Sequence, residues 1–403
     1  MHAPPPRPPL EHALGAELEQ VEAAGLWREL REIESAQEPS VVLRGRDVLL
    51  FCSNNYLGLA NHPEVVEAAR EATARYGASA ASSRLISGHM RAHREFEEHV
   101  AAWKGVEAAL AFSTGYQANV GAISALLGPG DAIVSDELNH ASIIDAARLS
   151  RARIAVFRHN DAGHLEERLR ETADARRVLV ATESVFSMDG DTAPLAEIVA
   201  LAKRFGAWTL VDEAHGAGVF GKAGAGLADE LGLTAEIDVH VGTLGKALGS
   251  FGAYVAGSRR LVDLLVNRAR SFIFTTGLPP SAVAAARAAI AICEREPERA
   301  AGLRRRVRAL SDALRAAGLD VPEAQSQILP VRIAAGEGPG RDDAARTMRA
   351  MAALLERGIY VAGIRPPTVP RGTSRLRLSV MATHTDAQLA TLARALAEAV
   401  EAA

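Results

Sequence analysis

Short apolar runs recur through the middle of the chain and alternate with stretches whose apolar positions are spaced three and four apart. Runs at 108–112, 132–135, 153–157, 178–182, 208–211 and 237–241 predict strands. Helical spacing at 63–76, 94–103, 115–127, from 141 onward, 163–170 and 194–205 predicts the intervening helices. A strand at 254–256 and a helix at 261–268 complete the region. Such alternation predicts an α/β fold, a doubly wound and mostly parallel sheet. Ahead of it, 18–33 reads as an amphipathic helix that contains Arg28, followed by short strands at 41–43 and 48–51. The proline-bounded break at 271–280 predicts a boundary. Beyond it a helix at 281–317, a strand at 328–333, a helix at 342–357, strands at 360–364 and 375–380 and a helix at 386–402 predict a smaller α+β domain. The expected organisation is 1–60 for tail, helix and small strands, 61–280 for the large domain, and 281–403 for the C-terminal domain.

In parallel sheets ligands bind beyond the carboxyl ends of the strands. Ser113, His140, Glu183, Ser187 and Asp212 all fall at such ends. The turn at 113–119 opens a helix, and a helix start offers free N–H groups and a positive dipole end to a phosphate. Asp212 closes its strand, His215 follows three residues later, and Lys246 sits in the glycine-rich turn 242–246. This combination suits pyridoxal phosphate chemistry. A lysine amine holds the cofactor aldehyde as a Schiff base, and a carboxylate keeps the pyridine nitrogen protonated. His140 could stack on a flat ring, and Ser187 and Thr243 are candidate donors to a phenolic oxygen and a phosphate. Arg365, Arg375 and Arg377 are candidate carboxylate forks, the last two on one face of a strand.

Composition narrows the alternatives. The 403 residues carry 45 Lys and Arg against 49 Asp and Glu, so there is no basic footprint for nucleic acid. Cys52 and Cys293 match neither a disulfide framework nor a zinc site, and a reducing cytoplasm is expected. No apolar run approaches the roughly 18 residues of a membrane span, and the proline-rich start has no signal-peptide core. His89 and His93, four apart, could share a helix face but lack a third ligand, so no metal is expected. Residues 216–221 fit the dinucleotide pattern G-x-G-x-x-G, yet more glycines follow where a helix should open. Ala223 stands where a P-loop needs a hydroxyl. A nicotinamide-dependent oxidoreductase is therefore only a remote alternative.

Eight runs in one order resemble the α-oxoamine synthase family of fold-type I pyridoxal phosphate enzymes. They are SNNYLGL (53–59), SRLISG (83–88), FSTGYQAN (112–119), NHAS (139–142), VFSMDGD (185–191), VDEAHGAG (211–218), TLGKALG (243–249) and IRPPTVPRGTSRLRLS (364–379). The resemblance implies that Lys246 carries the cofactor and serves as base, Asp212 pairs with the pyridinium, His140 stacks on the ring and His215 contacts the phenolic oxygen. It places Ser187 near that oxygen, Thr243 near the phosphate, and the backbone of Gly115 and Tyr116 on the phosphate. Thr275 and Thr276 resemble residues that reach the phosphate from a partner subunit, which implies a homodimer. Asn54 and Arg377 match the amino-acid carboxylate site, and Arg28 and Thr368 match substrate-contact positions. The implied reaction is a decarboxylative condensation of L-alanine with a pimeloyl thioester, on CoA or acyl carrier protein, in biotin biosynthesis. IRPPTVP and SRLISG favour this branch over relatives that use glycine or serine, such as 2-amino-3-ketobutyrate CoA ligase, 5-aminolevulinate synthase and the sphingoid-base enzymes.

Overall fold

The computed structural model describes residues 8–336, 340 and 342–403; most of the expected proline-rich tail, residues 1–7, lies outside them. The strands in chain order are β1 (Ser40–Leu43), β2 (Arg46–Leu50), β3 (Ala108–Phe112), β4 (Ala132–Asp136), β5 (Arg153–Phe157), β6 (Val178–Glu183) and β7 (Trp208–Asp212). They continue with β8 (Val239–Thr243), β9 (Ala253–Gly257), β10 (Ile328–Arg332), β11 (Ile359–Tyr360), β12 (Ala362–Ile364) and β13 (Arg375–Ser379). The main sheet has the order β3-β9-β8-β7-β6-β4-β5. Within it β9 runs antiparallel to both neighbours and the other pairs are parallel.

The sheet is covered on both faces, which is why its strands read as continuous apolar runs. Leu179 and Leu210 join the layer formed with helices Gly115–Leu126, Ala141–Ser150 and Arg259–Arg268. Their neighbours Val180 and Val211 join the opposite layer, with helices Leu195–Arg204 and Pro280–Arg295. The switch follows from the two-residue period of a strand. Each such side chain, fully buried, contributes about 1.5–3 kcal/mol. A second sheet, β10-β13-β12, is antiparallel. In a third, β11 pairs parallel with β2, joining the early hairpin to the late chain. Helix Pro280–Arg295, which starts at the expected boundary, packs on helices Pro63–Tyr76 and Arg91–Lys104.

Several elements differ from the sequence expectation. The helix expected at 18–33 is Leu10–Ala23, and Arg28 lies beyond it on irregular chain. Gly25 ends the helix at φ +64°, with the Leu26 N–H bonded back to the Val21 carbonyl. This left-handed cap overrides the apolar spacing that runs on to Ile33. The helix expected at 281–317 breaks at Glu296, because Pro297 has no N–H to continue the ladder; two helices result, Pro280–Arg295 and Pro297–Ala316. The strand expected at 360–364 divides around the buried Val361 into β11 and β12, which join different sheets. The irregular stretch at 77–93 contains one π-helical turn, Arg84–Gly88. His89 precedes the helix Arg91–Lys104, so it shares no helix face with His93.

The G-x-G-x-x-G run opens no long helix either. It leads into the single turn Lys222–Gly224 and folds over the buried Glu213, which is paired with Lys104. A Cβ on Gly226, at φ +120°, would lie 2.3 Å from Glu213 Oε2. Close approach to a buried carboxylate is what these glycines permit.

Candidate active site

The carboxyl ends of β3, β4, β6, β7 and β8 deliver their following turns to one edge of the main sheet. From β8 the turn brings a half-buried Lys246, whose Nζ lies 2.8 Å from His215 Nε2. His215 Nδ1 is 2.7 Å from the Tyr56 hydroxyl, which donates to Asn54 Oδ1 at 2.9 Å. One proton arrangement satisfies the whole chain: lysine donates to Nε2, Nδ1–H donates to Tyr56, and Tyr56 donates to Asn54. The Arg377 guanidinium reaches Asn54 Oδ1 and the Tyr56 oxygen at 3.4 Å, and its Nε donates to the Ser187 carbonyl. Just before β10, Gln327 Nε2 holds the His215 carbonyl at 2.8 Å.

Asp212, at the end of β7, is 5% exposed. Its Oδ2 accepts from Asn119 Nδ2 at 2.7 Å and its Oδ1 from the Ala214 N–H at 2.9 Å. Asn119 Nδ2 also reaches Ser142 Oγ at 2.9 Å, and Ser142 Oγ is 2.8 Å from His140 Nδ1. The backbone N–H of His140 donates to Glu183 Oε1 at 2.6 Å. At the end of β3 the Thr114 side chain caps the next helix through Gln117 N–H at 3.1 Å. Gly115 and Tyr116 occupy its first two positions, whose N–H groups have no intrahelical partner. Among the described residues nothing lies within 4 Å of where a Gly115 Cβ would sit, so the helix start is open there.

Burial pushes Lys246 down to about 8, against the opposing charges of Asp212 and Glu183. Burial, with the Asp212 charge, pushes Glu183 up to about 8. Burial and the Lys246 and Arg377 charges hold His215 well below the usual imidazole range, and burial lowers His140 as well. The edge therefore combines an amine close to neutrality with an imidazole that stays uncharged.

Of the expected residues, Lys246, His215, Asp212, His140, Asn54, Arg377 and Ser187 come together, the last through its carbonyl. Thr243 lies at the β8 end, where its Oγ1 donates to the Gly252 carbonyl at 3.1 Å. The Tyr116 hydroxyl turns outward to Asp145 at 2.9 Å. A groove of about 2080 Å³ opens beside the cluster, with His140, Ser187, Met348, Thr368 and Arg375 in its walls. Thr368 is exposed there, and Arg28 is exposed on its irregular segment. Thr275 and Thr276 line a separate small pocket with Ser113 and Arg84. Two of the candidate forks are occupied: Arg365 holds the Gly25 and Trp27 carbonyls, and Arg375 pairs with Asp189. Sequence reasoning missed Tyr56, Asn119, Ser142 and Gln327 as partners. Tyr56, Asn119 and Ser142 lay inside the runs SNNYLGL, FSTGYQAN and NHAS, which was the available signal.

An edge of this kind, on a sheet of this topology, is what the fold-type I pyridoxal phosphate enzymes have in common. The chain belongs to the aminotransferase class I and II family, whose model matches residues 46–396. Among particular relatives, a curated protein of Geobacter sulfurreducens named 8-amino-7-oxononanoate synthase is 50% identical over 391 residues, 96% of this chain and 98% of its own. Among solved structures, Sphingomonas wittichii serine palmitoyltransferase superposes with a TM-score of 0.89 at 37% identity, over 97% of each chain. A structure described as SPT with PLP internal aldimine gives 0.91 at 36% identity, over 98% of this chain and 99% of its own.

Proposed function

We propose that this chain catalyses the decarboxylative condensation of L-alanine with a pimeloyl thioester, giving 8-amino-7-oxononanoate, carbon dioxide and the free thiol. The observation that carries the reading is half identity along almost the full length to relatives of that name. The serine palmitoyltransferase structures stand at lower identity, 36–37%. They share the fold and support the same class of chemistry with another amino acid and acyl group.

The donor set fits pyridoxal phosphate. Lys246 offers an amine near neutrality to an aldehyde, Asp212 a pinned carboxylate to a ring nitrogen, and the helix start at Gly115 and Tyr116 unpaired N–H groups to a phosphate. When bound, the cofactor supplies an electron-poor ring that takes up the electron pair left on the substrate α-carbon. His140 lies on the loop that would face that ring, and His215 and Ser187 on the side of its phenolic oxygen. Thr243 would lie by the phosphate end, and Thr275 and Thr276 would reach it from a second copy in a homodimer. Arg377 and Asn54, already in contact, hold the alanine carboxylate. Lys246 would serve as the base that takes the α-proton, its amine passing from neutral to charged beside Asp212. The α-carbon then bonds to the thioester carbonyl carbon and the carbon–sulfur bond breaks. The α-carboxylate leaves as carbon dioxide, and a proton returns to the α-carbon. Thr368 on the groove wall and Arg28 on the N-terminal segment would contact the substrate, whose acyl chain is carried by CoA or an acyl carrier protein.

The purified protein is titrated with L-alanine, glycine and L-serine while its visible spectrum is followed. The reading expects a response saturating at lower concentration for alanine than for either rival. Preference for serine or glycine would keep the class and overturn the substrate.

A further inference from the structure

We propose that His159, which the reaction above does not use, is a positioning residue that sets the spacing between the His140 loop and the Ser187 turn and so fixes Arg377. The proposal rests on the functional reading just given. His159 follows β5 by two residues, and its side chain is 19% exposed. Nδ1 lies 3.0 Å from Asp136 Oδ1 and Nε2 2.8 Å from Asp191 Oδ2. With a carboxylate at each ring nitrogen, both nitrogens donate and the ring is an imidazolium. Burial opposes that charge, but the bonds to Asp136 and Asp191 outweigh it and raise the group to about 10.

The two carboxylates belong to different parts of the site. Asp136 ends β4, four residues before His140. Its Oδ1 accepts the Leu138 N–H at 2.8 Å and its Oδ2 the Asn160 N–H at 3.0 Å. Glu137 Oε1 accepts the His159 N–H at 2.9 Å, tying the same loop a second time. Asp191 closes the turn that carries Ser187, its carbonyl accepting the Phe186 N–H at 3.0 Å. The Phe186 ring stands edge-on to the imidazole at 4.3 Å, and Asn160 Nδ2 reaches Asp191 Oδ2 at 3.1 Å. From this turn the Ser187 carbonyl receives Arg377 Nε, and the Met188 carbonyl and the Asp189 carboxylate receive Arg375. His140 and Ser187 both wall the groove. A shift at Asp191 is thus passed through the Ser187 carbonyl to the guanidinium that faces Asn54 and Tyr56.

The test uses the full chain loaded with pyridoxal phosphate, as His159→Gln, Asp191→Asn and the double variant. L-alanine is titrated by visible absorbance, and the melting temperature is measured alongside. The expectation is retained cofactor, an alanine Kd about tenfold weaker in each single variant, and a double variant about equal to the singles because they break one link. If His159→Gln fails to fold, Asp191→Asn reads the same link. An alanine Kd within about twofold of the unsubstituted protein, even with a lowered melting temperature, would make the cluster purely structural and overturn the proposal. An unsubstituted protein that ignores alanine would overturn the functional reading itself, and this proposal with it.

Discussion

Burial pushes the Lys246 amine, which lies against the uncharged His215, down from 10.5 to about 8 despite the opposing charge of Asp212. Only the neutral amine attacks an aldehyde, so cofactor capture by the apoprotein should accelerate as pH rises through about 8. Stopped-flow absorbance would show this, and a midpoint near the ordinary lysine value would contradict it. Lys246→Ala should show no capture of this kind. Asn119 carries less chemistry but holds the Asp212 carboxylate at 2.7 Å in a buried setting. Asn119→Ala should cost roughly 1–3 kcal/mol in urea unfolding, the penalty of an unsatisfied buried acceptor. Asp212, His215 and Lys246 were legible in the sequence because each sits at a strand end or glycine-rich turn, where local pattern marks the position. Tyr56 was not legible as the partner of His215. The two are 159 residues apart, and only the folded chain brings the phenol to the imidazole.

At the scale of elements, the strands of the main sheet were legible because burial on both faces leaves an unbroken apolar signature. The errors came where a single residue overrides periodicity: Gly25 ends the first helix and Pro297 divides the long one. The glycine run at 216–226 imitates a nucleotide loop in spacing, but the further glycines and Ala223 spoke against that reading, and in the fold its glycines make room for Glu213. Gly226→Ala would press a methyl onto that carboxylate at φ +120°. It should destabilise the protein by about 2 kcal/mol or more, since strain and the disturbed Lys104–Glu213 pair act together. A denaturation midpoint unchanged from the parent would contradict this account of the loop.

At the scale of the molecule, the site draws on segments that lie far apart in sequence. Asn54 and Tyr56 follow β2, the aspartate ends β7 and the lysine follows β8 of the main sheet, Gln327 precedes β10, and Arg377 lies on β13. The pairing of β2 with β11 holds the first and last of these contributions together. No helix among the described residues is long and apolar enough to cross a membrane. Ile86 and Phe274, 82% and 70% exposed, flank the bridge between Ser83 and Thr276, a surface suited to a second copy. If Thr275 and Thr276 serve the partner's site, Lys246→Ala mixed with a Thr275→Ala/Thr276→Ala variant should regain activity. Random reassortment into a two-fold dimer leaves one intact site in half the dimers, about a quarter of the unsubstituted rate. No recovery after confirmed subunit exchange would place those threonines in their own subunit's site.

The measurement that bears most directly on the central claim is product analysis with L-alanine and pimeloyl-CoA. Free thiol, carbon dioxide and 8-amino-7-oxononanoate should appear in equal amounts, and none with Lys246→Ala. Thiol release with L-serine and a long-chain acyl-CoA, but not with alanine and pimeloyl-CoA, would contradict the account.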